Sequence, residues 1–254
     1  MPELNQNFIK GRMNKDLDER LVPNGEYRDA LNIEVATSEG SDVGSVQTLM
    51  GNTLRGDTLS GFCVASIADE KTNKIYYLVS GENKDAVIEY DSESLTEKPV
   101  LVDIYNFDIV VDTPGHGDYD HVHVELLGNA VNIRPGMTVT GTLTHPLTGI
   151  STTYGPANGL VVSKVEDYAG GLNVYLEDIS NANAAPITNI PSSQGDVLTF
   201  TAERVLNFDQ GEFITGINII DDFLFWTDNK YEPKQISISR CLEGTDSINH
   251  HTKV

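Results

Sequence analysis

Histidines and carboxylates crowd one short stretch, Pro114-Gly-His116-Gly-Asp118-Tyr-Asp120-His121-Val-His123. Imidazole and carboxylate at this density form the donor set of a transition-metal site. The competing reading is a polar loop entering a strand at Val122–Leu127, with His121 and His123 pointing to one face. The loop reading is preferred, so no residue is assigned to metal binding, catalysis or a cofactor.

Other reactive types are equally bland in context. Cys63 has no neighbouring base, and both Cys63 and Cys241 lie in apolar-rich stretches, where buried free thiols are expected. Asp221-Asp222 reads as a tight turn, where Asp is favoured for its backbone hydrogen bonds. The Asp-rich turns contain no EF-hand loop. No Gly-x-Ser-x-Gly elbow, P-loop or dinucleotide fingerprint is present. Tyr76, Tyr77, Phe223, Phe225 and Trp226 could line a sugar groove, but at strand spacing inside a repeat they read as core. The chain is therefore expected not to be an enzyme.

Charge narrows the partners. Of 254 residues, 38 are Asp or Glu and 17 are Lys or Arg, a formal charge of −21. A dedicated nucleic-acid binder needs clustered bases, and an anionic membrane repels such a surface. The acids are spread along the chain, the pattern of a self-repelling surface. No apolar run approaches the length of a membrane-spanning helix, so no membrane anchor is expected. The first residues lack the charged and apolar regions of a secretory signal, which points to synthesis in a cytoplasm.

The elements that must position these residues are strands. Gly, Asn and Asp clusters punctuate short apolar runs throughout. Strands are predicted at Ala30–Val35, Cys63–Ile67, Lys74–Val79, Ala86–Tyr90, Val100–Ile104, Val122–Leu127 and Met137–Leu143. Further strands follow at Gly159–Val165, Leu172–Ile179, Val197–Ala202, Thr215–Ile219, Phe223–Thr227 and Gln235–Ser239. In the last of these, Ile236 and Ile238 alternate with serines. One short helix is predicted over Asn14–Leu21, capped by Asn14 and stopped by Pro23.

An internal repeat organises the strands. Val64–Ile67, Lys74–Ser80 and Ala86–Asp91 form one copy; Ile214–Ile217, Phe223–Asp228 and Lys234–Ser239 form the second. Each is strand, tight turn, aromatic-rich strand, polar turn, strand, which is the pattern of a propeller blade. Asn106-Phe-Asp108 recurs as Asn207-Phe-Asp209 and brackets an insertion of about 100 residues, enough for a small β-barrel or sandwich. The expected architecture is all-β, a partial β-propeller carrying an inserted small β-barrel or sandwich. Its parts are 1–108 (N-terminal segment and first blade), 109–206 (insert) and 207–254 (a further blade). Two blades are too few for a closed ring of about four to eight. The propeller is therefore expected to continue beyond residue 254 or be completed by partner chains.

Four resemblances add to this. The spacing of His116, Asp118, Asp120 and His121 resembles the first metal motif of metallo-β-lactamase-type hydrolases, with Asp118 where a His would stand. The alternating β/α/β units of those enzymes are missing. Leu224-Phe-Trp-Thr-Asp228 followed by Pro233-Lys-Gln-Ile-Ser-Ile238 resembles YWTD-class propeller blades, with Phe225 replacing the first Tyr. The stretch Gly11-Arg-Met-Asn14-Lys-Asp16-Leu-Asp18-Glu-Arg20 through Pro23-Asn-Gly25-Glu-Tyr27-Arg-Asp29-Ala-Leu-Asn32 to Gly40–Gln47 resembles the opening of tail nozzle or muzzle proteins of tailed bacteriophages. These tail-stabilisation or tail tubular proteins are large β-propellers. Arg134-Pro-Gly136-Met-Thr-Val-Thr-Gly141 and Gly195-Asp-Val-Leu-Thr-Phe200 are similar to a small β domain that decorates many phage structural proteins.

The phage resemblance implies a structural virion protein, assembled in the bacterial cytoplasm. It would self-associate into a ring, usually sixfold, at the DNA exit of the tail. It would contact adaptor or portal-side proteins and tail fibres, and let DNA pass without specific binding. An acidic lumen would suit such a conduit. The alternative is a receptor- or glycan-binding tail component with the insert as its recognition module. A third reading is a hydrolase working through a metal at His116 and its neighbours.

Overall fold

The computed structural model describes residues 10, 12–29, 31, 33–35, 46–48, 51, 60–112, 120–145, 147–156, 159–168, 170–179, 185–187, 190 and 192–253. The chain divides into two compact units, Met1–Arg55 and Gly56–Val254.

In the first unit, β1 (Arg12–Met13) pairs in parallel with β2 (Glu26–Tyr27), and β3 (Ile33–Val35) pairs antiparallel with β4 (Val46–Thr48). The predicted helix over Asn14–Leu21 contracts to one 3-10 turn, Glu19–Leu21. Its cap is Asp18, whose carboxylate accepts the Arg20 N–H at 3.1 Å. Asn14 instead donates its side-chain amide to Glu26. The strand predicted at Ala30–Val35 is β3, with residues 30 and 32 outside the described set.

The second unit opens with an antiparallel meander: β5 (Phe62–Asp69), β6 (Lys74–Ser80), β7 (Lys84–Asp91) and β8 (Thr96–Ile104), paired in that order. Its tight corners follow from Asp and Asn chemistry. Asp69 accepts the Lys71 N–H, Asn73 takes the left-handed conformation at φ 56°, and Asp91 accepts the N–H groups of Glu93 and Ser94.

An eight-stranded sheet follows. It comprises β9 (Asn106–Val110), β10 (His121–Glu125), β11 (Thr138–Thr144), β12 (Ser151–Tyr154), β13 (Leu160–Tyr168), β14 (Gly171–Asp178), β15 (Ala185–Pro186) and β16 (Val197–Thr201). The order is β10-β14-β13-β11-β16-β9, with β12 on β11 and β15 on β14. A three-stranded meander closes the chain: β17 (Gly216–Ile220), β18 (Phe223–Thr227) and β19 (Lys234–Ser237). It runs directly into helix α1 (Ile238–Gly244).

The four-stranded sheet is buried from both sides because its strands alternate between two cores. Tyr76, Leu78 and Val87 pack with Leu224 and Trp226 of β18 and with Cys241 of α1. Ala86, Ile88, Val102 and Ile104 pack with the interior of the eight-stranded sheet, where Phe107 and Phe200 stack at 5.7 Å.

This arrangement overturns the expected partial propeller with an inserted barrel or sandwich. The fold is all-β, but its sheets are separate and none is closed. The face of the four-stranded sheet that a neighbouring blade would need is taken by the eight-stranded sheet. In that larger sheet, no strand pairing joins the end strands β9 and β10 among the described residues. Asp112, just past β9, reaches across to His123 of β10: its N–H meets the His123 carbonyl at 3.3 Å, and its carboxylate lies 4.0 Å from His123 Nδ1.

Smaller corrections have local causes. The predicted strand at Gln235–Ser239 stops at Ser237, whose hydroxyl accepts the Arg240 N–H and starts α1. Asp222 reinforces that start by accepting the Ser239 N–H at 3.1 Å and the hydroxyls of Ser237 and Ser239. Those hydrogen bonds hold its carboxyl below the usual range. Cys63 is exposed rather than buried, because the register slips between Cys63 and Ala65 and turns Val64 inward instead. Cys241 is buried, and both thiols are free.

The aromatic set splits as well. Tyr76 and Trp226 are core, and Tyr77 packs from the opposite face of β6. Phe223, 44% exposed, and half-buried Phe225 form a pair on the outer face of β18. The echoed Asn-Phe-Asp triplets have different backbones: Asn106–Asp108 is strand, whereas Asn207 turns the chain at φ 50°. Among the described residues, no helix is long and apolar enough to cross a membrane.

Candidate functional site

Two carboxylates stand side by side in the middle of the second unit. The register of β7 and β8 sets Asp85 opposite Asp103, and both side chains are 0% exposed. Adjacent buried anions repel and are poorly solvated, so they persist only where donors surround them. The donors come from the connection between β16 and β17. Arg204 grips Asp85 with two nitrogens, at 2.8 and 3.2 Å, and the Phe208 N–H adds a third contact at 3.1 Å. Asp103 accepts the N–H groups of Val205 and Leu206 at 2.6 and 3.0 Å. The Arg204 guanidinium also lies 4.5 Å over the Tyr105 ring, whose hydroxyl donates to the Gly81 carbonyl.

Burial raises the Asp85 carboxyl above its ordinary value, and Arg204 and the Phe208 N–H pull it back only in part. The same burial raises the Tyr105 phenol. The pair acts as a clamp that fastens the 204–208 connection to the four-stranded sheet.

A cleft of about 520 Å³ opens above the clamp. Its floor includes Tyr105, Arg204 and Phe208, and its walls are the Gly81–Glu82 turn and the loops at 209–214 and 228–231. Four carboxylates line it (Glu82, Asp209, Glu212 and Asp228) against two cations, Arg204 and Lys230. Arg204 is already matched by Asp85 beneath the floor. Lys230 sits between Glu212 and Asp209, at 2.5 and 3.7 Å. Asp228 accepts the N–H groups of Lys230 and Tyr231, which hold its carboxyl low. Ser80, at the cleft's edge, donates its hydroxyl to the Phe208 carbonyl. The described lining carries more carboxylates than cations over an aromatic floor, a surface complementary in charge to a cationic group.

The histidine stretch is placed only in part. His116 and Asp118 lie outside the described residues. Asp120 is exposed and bonds His121 Nδ1 at 3.0 Å, which holds its carboxyl below the usual range. His121 and His123 share one face of β10, beside Tyr175 and Tyr168 respectively. Among the described residues, no group of three or more His, Cys, Asp or Glu side chains is arranged to hold a metal.

Sequence reasoning missed Asp85, Asp103 and Arg204. A signal was available: an acid inside Lys84-Asp-Ala-Val-Ile88 and another inside Val100-Leu-Val-Asp-Ile104 interrupt apolar strand runs. A buried acid in such a place must find donors.

No family model, no curated protein and no solved structure matches the chain.

Proposed function

We propose that the chain is a structural component of a tailed-phage virion that works by self-association, as a ring at the DNA exit of the tail, without chemistry of its own. The observation that carries this reading is the outer face of the three-stranded sheet. Ile220 and Phe223 are cross-strand partners there, 54% and 44% exposed, and Phe225 pairs with Phe223 at 6.3 Å between ring centres. An exposed apolar aromatic face of this kind favours a protein contact. The clamp supports the same reading, since a ring subunit must hold its sheets rigidly together. The N-terminal resemblance supplies the virion context and the adaptor, portal-side and fibre contacts that go with it.

The test is the mass and copy number of the polypeptide in its native particle, with light scattering of the purified chain. Six or twelve copies per ring is the expected result. A monomer at every concentration would sink the proposal.

A second reading, recognition of a receptor or glycan by the eight-stranded sheet, draws on Asn173. Its Oδ1 is buried without a hydrogen-bond partner, on the face that carries His123 and Glu166. Saturable binding of host polysaccharide by the monomeric chain would favour it.

A further inference from the structure

The anionic cleft has a counterpart elsewhere in the chain. Residues 4–15, Leu-Asn-Gln-Asn-Phe-Ile-Lys-Gly-Arg-Met-Asn-Lys, contain Lys10, Arg12 and Lys15 and no acid, inside a protein of net charge −21. Lys10 faces Glu26 at 3.8 Å. No ion pair engages Arg12 or Lys15 among the described residues, and all three bases are exposed. Met13, beside Arg12, is 44% exposed.

We propose that the cleft walled by Glu82, Asp209 and Glu212 receives the basic Lys10–Lys15 segment of a second copy of this chain. This rests on the ring reading above and adds a charged contact to the apolar one described there. Three observations support it. The cleft's carboxylates outnumber its cations, and one of those cations is spent on Asp85. Lys230 already shows that an ammonium group fits between Asp209 and Glu212. Exposed Tyr231 at the cleft and exposed Met13 on the segment offer apolar surface to each other. The two surfaces are different parts of the molecule, so the contact can repeat head-to-tail from copy to copy. Head-to-tail contacts generate rings when the rotation between copies closes. Attraction at this contact also offsets the general repulsion between acidic subunits.

The test is charge exchange on the full-length chain, read by sedimentation velocity at low and high salt. One variant carries Arg12→Glu and Lys15→Glu, the other Glu82→Lys and Glu212→Lys; all four side chains are exposed, and circular dichroism checks that both variants fold. Each variant alone is expected to associate at least about tenfold more weakly than the parent at low salt. An equimolar mixture restores association, because each variant's segment then meets a complementary cleft. High salt weakens the parent's assembly.

Association that neither variant changes would overturn the proposed contact while leaving the ring intact. Weakened variants that fail to complement in the mixture would also overturn it, since the segment would then not reach a second copy. A parent chain that stays monomeric at all concentrations and salts would bring down both this contact and the ring reading.

Discussion

At the scale of single residues, the acid excess has two distinct uses. Asp69, Asp91, Asp209 and Asp228 each accept backbone N–H groups two or three residues on and so build turns. Asp85 and Asp103 are buried and hold the 204–208 connection. The second use is the more costly to disturb. Arg204→Met strands the Asp85 charge, and breaking a buried pair in this way is expected to cost about 3 kcal/mol in urea unfolding. Adding Asp85→Asn should recover part of that loss, because no charge is then left unpaired. A loss below about 1 kcal/mol, the range of exposed pairs, would show the clamp to be superficial. The turns were legible in the sequence from Asp and Asn clusters between apolar runs, as at Asp221-Asp222 between two strands, although the Asp222 carboxylate serves the start of α1 rather than its own turn. The buried pair was not, because the donors for Asp85 and Asp103 lie more than a hundred residues downstream.

At the scale of elements, most strand positions follow from short apolar runs between turn residues, as in β6 and β18, or from apolar alternation, as in β14. What these patterns miss is where a strand must bend or end. Gly141 marks one such place. It sits inside β11 at φ 147°, and a Cβ there would meet the Val197 carbonyl oxygen at 2.5 Å. Gly141→Ala is therefore expected to destabilise the protein by about 2 kcal/mol. The loss should come with faster amide exchange at Thr140 and Leu198 on the β11–β16 ladder. Unchanged stability would mean that the two strands part without penalty. Helix α1 is the clearest miss. Ser237-Ile-Ser continues an alternating strand pattern, and only Asp222 and Ser237 capping together turn the chain into a helix.

At the scale of the whole molecule, the segment after α1 ties the layers together. Thr252 lies along the edge of β8: its hydroxyl accepts the Val102 N–H at 2.7 Å and its own N–H reaches the Val102 carbonyl at 2.9 Å. His251 Nδ1 accepts the Ile104 N–H at 3.1 Å, and the His251 N–H bonds Asn132 below the eight-stranded sheet. An otherwise open strand edge is thereby covered. Burial, and then Arg134, hold the His251 imidazole below the ordinary histidine value of 6.5, while Asp103 acts in the opposite sense. The unfolded chain takes up a proton near 6.5 and the folded chain does so only at lower pH. Stability contributed by neutral His251 is therefore present above that value and is lost as the pH falls below it. Asp85, whose carboxyl is raised, works in a different window, which begins at 3.8 and extends upward. Comparing the parent with His251→Asn separates the two, since Asn can accept the same N–H without titrating. The parent is expected to lose stability more steeply than His251→Asn between about pH 6.5 and pH 5. Parallel curves would show that His251 titrates freely.

The sequence by itself determined the class of structure: an acidic, all-β chain with two related meanders, Asp and Asn at its corners, and no recognisable catalytic motif. Those properties are local, set by alternation, turn chemistry and composition within a few residues. Tertiary structure decided how the meanders are partnered. Because the eight-stranded sheet takes one face of the four-stranded sheet and β18 with α1 takes the other, the sheets stay separate instead of closing. Which donors the buried acids found was also decided there: apolar neighbours mark Asp85 and Asp103 as buried, but they meet Arg204 and the 205–208 backbone only when distant segments pack.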